Sequence, residues 1–312
     1  MKLLMVTNTF TPHVGGVARS VQQFTAEFRR LGHEVLTVAP EFPEAVPDPR
    51  VVRIPAVQQF NGSDFSVPVP IPGLLWQAVD SFRPDIIHSH HPFLLGDTAL
   101  RLSARLDIPV VFTHHTQYER YTHYVPGDSK LLKDFVIELA TGYCNLCDAV
   151  IAPSRSILDR LVRYGVTSEI HEIPTGVDTK FFAQGNGQSI RQQLGIPSDE
   201  FVIGHVGRLA PEKGLEFLSQ AVTQFMQSHP KTQFMVAGSG DSEATICDEF
   251  QAAGLTDRLH LLGSLDRPEL PGVYAAMDVF AFSSQSETQG MVLTEAMSAG
   301  TPVVAVDASG VR

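Results

Sequence analysis

The chain has 312 residues, 43% hydrophobic and 18% charged, which suits two packed domains and excludes a disordered chain. Its formal net charge of −11 argues against nucleic acid as the main partner. Three cysteines are too few for a disulfide framework, and no apolar stretch approaches the roughly 20 residues of a membrane span, so a cytoplasmic protein is expected.

In chain order, "KLLMVT" reads as a short buried strand that turns polar too early to be a signal-peptide core. The glycine turn "NTFTPHVGGVARS" leads into a helix that runs to about Leu31, and "EVLTVAP" is the next strand. The alternation continues with "RVVRIP", a helix near Leu74 to Phe82, "DIIHSH", a helix from Leu95 to Leu106 and "PVVFTHH". A longer helix, "AVIAPS" and a short helix from Arg155 to Tyr164 follow. Near-continuous Val/Ile/Leu strands between helices predict a parallel sheet covered on both faces. "EIPTGVDTKFFAQGNGQSI" then breaks the rhythm and reads as an irregular junction between domains 1–180 and 181–312. The rhythm restarts through "FVIGHVG", "QFMVAGSG", "RLHLLG", "VFAFSS" and "PVVAV". The predicted fold class is therefore α/β, with two doubly wound, Rossmann-like domains facing across a cleft. Ligands bind beyond the carboxyl ends of such strands.

The most informative stretch is "FSSQSETQGMVLTEAMSAGT", in which seven residues separate Glu287 from Glu295. Gly290, Met291 and Val292 would offer amides at a helix start, where an anion is favoured. Glu295 can accept from ribose hydroxyls and Glu287 from sugar hydroxyls. Spacing alone favours the plainer reading, in which Glu287 is a helix-start charge and Glu295 a solvated helix residue. In "HVGRLAPEKGLEFL", Arg208 and Lys213 follow a strand end, where a guanidinium fork and an ammonium can meet a pyrophosphate or form an ordinary surface pair. Gly15 and Gly16 occupy a turn open to a phosphate, but the full G-x-G-x-x-G of a dehydrogenase is missing. Cys144 and Cys147 form a C-x-x-C with no second pair and sit at the end of a helix. His88, His90, His91, His114 and His115 cluster at two strand ends; alternation of strand side chains sets neighbours on opposite faces, away from one shared metal ion. There is no D-x-D segment to hold a divalent ion, so no metal site is expected.

With "SETQG" and "LTEAM" in register, the Glu287–Glu295 stretch resembles the E-x7-E motif of retaining GT-B glycosyltransferases of the group 1 and family 4 type. "GRLAPEKG" is similar to that family's diphosphate-binding segment, and "PHVGGV" to the loop over its donor phosphates. "HTQYERYTHY" resembles the signature of members that glycosylate diacylglycerol lipids, with mannosyltransferases as further relatives. The resemblance spans residues 2–312. It implies a hexose moved from a nucleoside-diphosphate sugar, such as UDP-glucose or GDP-mannose, to a lipid or glycan hydroxyl, with no cofactor. Arg208 and Lys213 would stabilise the diphosphate, His115 would position the sugar, Glu287 would hold its hydroxyls and Glu295 the ribose. Tyr118, Glu119, Tyr121 and Tyr124 would line the acceptor side. Members of the family continue past the point matching Arg312, so a C-terminally shortened second domain is expected. A non-catalytic sugar-nucleotide-binding fragment and a sugar-nucleotide epimerase are the alternative readings. Lys130 and Lys133 lie on an apolar helix that suits either contact with an anionic membrane surface or packing on the core.

Overall fold

The computed structural model describes residues 1–13, 15–58, 66–69, 72–122 and 129–312. Contacts divide the chain into two units, Met1–Thr175 and Gly176–Arg312. The first runs β1 (Lys2–Val6), α1 (Gly16–Arg30), β2 (Glu34–Pro40), β3 (Val51–Ile54), β4 (Ala56–Val57) and β5 (Val67–Pro68). It continues with α2 (Pro72–Phe82), β6 (Ile86–Ser89), α3 (Leu95–Leu106), β7 (Val110–Thr113), α4 (Lys130–Asn145), β8 (Ala149–Ala152), α5 (Arg155–Tyr164) and β9 (Glu169–Glu172). Seven strands order as β3-β2-β1-β6-β7-β8-β9 in a parallel sheet, the sheet type that the Val/Ile/Leu runs predicted. Alternation along β1 explains the two covered faces. Leu4 and Val6 join one core with Leu75, Leu102 and Phe112, while Leu3 and Met5 join the other with Val21 of α1.

The second unit contains α6 (Thr179–Phe182), α7 (Gly187–Gln193), β10 (Phe201–Val206), α8 (Leu215–Ser228), β11 (Thr232–Ala237) and α9 (Glu243–Ala252). β12 (Leu259–Leu261), α10 (Leu270–Ala275), β13 (Val279–Phe282), α11 (Met291–Ser298) and β14 (Val303–Ala305) complete it. Its parallel sheet orders as β12-β11-β10-β13-β14. Val202 and Met235 face a core with Tyr274, Phe280 and Leu293, and Ile203 and Phe234 face the other with Leu215 and Phe250.

The irregular stretch expected before the second domain is more ordered than its composition suggested. β9 was missed because it is an edge strand of sequence Glu-Ile-His-Glu, paired only with β8 and largely exposed, so it needs no apolar run. α6 lies inside the segment read as junction, and α7 begins in it. Phe182, 1% exposed, anchors α6 against Tyr274. The C-terminal half of α4 packs on the core through Ala140, Tyr143 and Cys144, but its N-terminal half does not. Among the described residues no helix is long and apolar enough to cross a membrane.

Candidate active site

In the second unit, β10 delivers Gly207 and Arg208 to its carboxyl end, and the chain makes a single 3-10 turn at Pro211–Lys213. Two serines lace this turn to the end of β13: Ser283 Oγ donates to the Lys213 carbonyl at 2.8 Å, and Ser286 Oγ to the Glu212 carbonyl at 3.4 Å. The ends of β10 and β11 approach so closely that a Cβ on Gly238, whose φ is +141°, would lie 1.8 Å from the Gly207 carbonyl oxygen.

That lacing brings together two side chains that were expected to act separately. Lys213 Nζ donates to Glu287 Oε1 at 2.6 Å, with the side chains 16% and 17% exposed. Burial alone would raise the Glu287 carboxyl. The Lys213 ammonium, with a hydrogen bond from Ser284 and His205 nearby, holds it below its ordinary value instead. Arg208 Nη2 pairs with Glu212, whose side chain is only 6% exposed. Lys213 is therefore a nearly buried ion-pair partner rather than an isolated surface charge, while Arg208, 37% exposed, pairs within its own turn.

Glu295 is 2% exposed, which overturns its reading as a solvated helix residue. The Tyr274 hydroxyl donates to its Oε2 at 2.9 Å. Gly290, at φ +61°, caps α11 without a side-chain hydrogen bond, and the Leu293 amide donates to its carbonyl at 2.9 Å. Gly290 is buried and Met291 and Val292 are half-buried at this helix start. A cavity of about 520 Å³ between α7 and α10, lined by Phe181, Ile190, Leu265 and Gly272, includes none of these residues.

In the first unit, Gly15 is the extended N-cap of α1, where a Cβ would meet His13 Nε2 at 3.1 Å; at Gly16 a Cβ would meet nothing within 4 Å. Beside this turn lies a cavity of about 450 Å³ lined by Pro12, His13, Phe42, Gln58 and Ser66. Sequence neighbours among the histidines turn to different partners, as strand alternation suggested: His88 and His90 share a side, while His91 meets Asn8, and His114 packs on Phe112 and Tyr118. Alternation within one strand does not reveal the contact between strands that brings His90 to His115. His90 Nδ1 lies 2.9 Å from His115 Nε2, and the His88 and His90 rings stack at 4.2 Å. His91 Nδ1 accepts from the Asn8 amide at 3.1 Å. Burial pushes His88 and His114 down to about 4 and His91 to about 3, and holds His90 and His115 well below the usual imidazole range. Among the described residues no cluster of His, Cys, Asp and Glu could hold a metal ion.

The residues expected on the acceptor side divide. The Tyr118 ring packs edge-on against Phe93 and His114, and its hydroxyl is buried. Glu119 accepts from Arg160 at 2.8 Å and from the Tyr164 hydroxyl at 3.0 Å, which ties it to α5. Tyr121 is half-buried after the 3-10 turn Tyr118–Arg120, and Tyr124 lies outside the described residues. Cys144 and Cys147 are core residues; burial raises both thiols, Cys144 to about 12, which makes them poor nucleophiles and ligands.

Sequence reasoning missed Tyr274, Glu212 and His205, and it named His90 without its contact to His115. Tyr274 sits in an apolar run and shows no periodic signal. His205 reads as strand filler, yet it is 1% exposed between Phe280 and Phe282, places Nδ1 3.1 Å from the Ala281 carbonyl, and is pushed by burial down to about 4.

Residues 14–181 match the family described as Glycosyltransferase Family 4, and residues 186–312 match Glycosyl transferases group 1. The chain is 30% identical to the alpha-monoglucosyldiacylglycerol synthase of Streptococcus pneumoniae, covering 98% of this chain and 71% of that protein. It is also 30% identical to the GDP-mannose-dependent alpha-mannosyltransferase of Mycobacterium tuberculosis, covering 100% of this chain and 80% of the relative. Among solved structures, Anabaena Alr3699/HepE, in complex with UDP and glucose, shares the fold at a TM-score of 0.75 and 22% identity, over 99% of this chain and 82% of that one. The chain belongs to the GT-B glycosyltransferases, with a Glycosyltransferase Family 4 segment followed by a group 1 segment.

Proposed function

We propose that the protein is a retaining, metal-independent hexosyltransferase that moves a hexose from a nucleoside-diphosphate sugar to the hydroxyl of a diacylglycerol-type lipid or another glycolipid or glycan. The observation that carries this reading is the pairing of Lys213 with Glu287 at 2.6 Å, with Glu295 buried on the helix that follows. Glu287 kept ionised accepts from hydroxyls of the hexose, and Glu295, oriented by Tyr274, accepts from the ribose. Arg208 and Lys213 supply positive charge where the diphosphate leaves. The acceptor hydroxyl attacks on the face the diphosphate vacates and passes its proton to a diphosphate oxygen. His115 positions the sugar.

GDP-mannose, named for one relative, and UDP-glucose, bound in a solved structure of the same fold, are the donors to try first. A lipid acceptor is supported by α4, whose Leu131, Phe135 and Leu139 are 80%, 55% and 46% exposed at i, i+4 and i+8 beside Lys130 and Lys133. This apolar stripe suits the inner face of the cell membrane better than the core packing weighed from sequence.

The test is release of nucleoside diphosphate from each donor with and without diacylglycerol. Acceptor-dependent release supports the transferase; release that needs no acceptor, or conversion of the sugar alone, rejects it. Turnover is expected to survive a chelator, because the diphosphate charge is met by Arg208 and Lys213. Activity lost in chelator and restored by magnesium or manganese would overturn that expectation.

Glu295→Ala is expected to weaken binding of the free nucleoside diphosphate by about 10- to 150-fold, the value of a hydrogen bond to a charged group. Tyr274→Phe, which removes one hydroxyl and leaves the Glu295 charge in place, should cost less. Calorimetric titration with UDP and GDP checks both, and unchanged affinity in Glu295→Ala removes it from the site.

A further inference from the structure

His90 is fully buried, and its contact with His115 has a chemical consequence. His90 Nδ1 and His115 Nε2 are 2.9 Å apart, with the ring planes inclined by 26°. Two neutral imidazoles at this distance share one proton, and either ring can supply it.

If His115 donates from Nε2, then His90 carries its own proton on Nε2. That atom is buried and has no hydrogen-bond partner among the described residues. The neighbouring His88 ring offers no acceptor, because it stacks at 4.2 Å with a 35° tilt, and its Nε2 is engaged by the Thr113 hydroxyl at 2.7 Å. If His90 donates from Nδ1, the orphaned atom is a bare lone pair instead. A buried N–H without an acceptor is rarer and costlier than a buried acceptor without a donor. A doubly protonated His90 is worse still: it would bury a cation facing His88, His91 and His115, with only histidines to stabilise it.

We propose that His90 is a positioning residue that fixes His115 as the Nδ1–H tautomer, so that His115 meets the donor sugar as a neutral hydrogen-bond donor. The tautomer rests on the geometry alone; the contact with the sugar rests on the function proposed above. His115 Nε2 is occupied by His90, so His115 cannot act as a general base through that atom. The other groups around the pair are His91, and His114 with Glu119 and Arg160 acting on it. Burial outweighs the attraction of Glu119 for a proton on His114.

Long-range proton–nitrogen correlation spectra of the nitrogen-15-labelled protein, recorded without ligand near neutral pH, read the tautomer directly. The spectrum of His115→Asn identifies the His115 ring. Protons are expected on Nδ1 of both His90 and His115, and a proton on His115 Nε2 would overturn the proposal. Two variants separate positioning from mere packing. His90→Asn keeps an amide N–H near the place of Nδ1, whereas His90→Leu keeps bulk and loses the donor. In His90→Leu, His115 Nε2 becomes free to take a proton, and the His115 pKa is expected to rise by about one unit. His90→Asn should stay near the parent. Identical His115 titrations in the two variants would also overturn the proposal. Turnover of His115→Asn with UDP-glucose or GDP-mannose tests the underlying reading separately: parental turnover would remove the sugar contact while leaving the tautomer to the spectra.

Discussion

Acid is expected to unfold the N-terminal unit, Met1–Thr175, before the C-terminal one, with its loss of structure beginning below about pH 6. His88, His90 and His114 are 4%, 0% and 4% exposed, and burial holds all three below the ordinary value of 6.5. In the unfolded chain they take up protons below pH 6.5; folded, His88 and His114 do not until about pH 4. Between those values the unfolded state binds more protons, so stability falls as pH falls. Each such histidine costs about 1.4 kcal/mol per pH unit across the window. A domain has about 5–15 kcal/mol in all, so several together exhaust it within roughly two pH units. In the other unit the fully buried histidine is His205. The depressed Glu287 carboxyl adds stability that is lost only as pH falls below 4.5. The single tryptophan, Trp76, packs on the first unit's core and under Arg105 at 4.5 Å, so its fluorescence reports that unit alone. An acid titration should show the Trp76 transition ahead of the last loss of helical circular dichroism. His91→Asn, which keeps an acceptor for the Asn8 amide, should move the Trp76 midpoint to lower pH. A Trp76 signal unchanged down to pH 4 would show that these histidines are not held neutral.

Arg208→Ala is expected to lower the rate of the chemical step by about 10²–10³, because charge on the diphosphate oxygen grows as the sugar leaves. The donor KM should rise as well. The ion pair with Glu212 adds a complication that the sequence did not reveal. Glu212 is nearly buried, so removing Arg208 leaves a carboxylate without its partner and lowers stability too. Arg208→Lys separates the two effects. A lysine keeps a positive charge near Glu212 and should restore much of the stability, but it lacks the fork that spans two phosphate oxygens and should restore little kcat. The comparison is made with kcat and KM beside thermal unfolding for both variants. If kcat in both stays within a few-fold of the parent while only Arg208→Ala is less stable, Arg208 is a structural residue and the diphosphate role is wrong.

The sequence by itself determined the fold class, because a strand covered on both faces needs an unbroken apolar run and its helices need a 3.6-residue period. β1, β2, β10 and β11 satisfy that demand in the order of their residues, with no reference to the rest of the chain. It also determined which local segments are candidates for chemistry, since the spacing of Glu287 from Glu295 and the short step from Arg208 to Lys213 are set by the chain itself. The edge strand β9 escaped because an edge can be polar. Only the tertiary structure decided which of these groups meet. Lys213 and Glu287 are 74 positions apart, His90 and His115 are 25, and Tyr274 and Glu295 are 21, and each pair is made by parallel strands ending side by side or by helices packing on one sheet. Burial is likewise a property of the whole fold. It makes Glu295 an inward-facing acceptor rather than a solvated charge, and it keeps the histidines neutral because a charge withdrawn from water has no local partner to offset the loss.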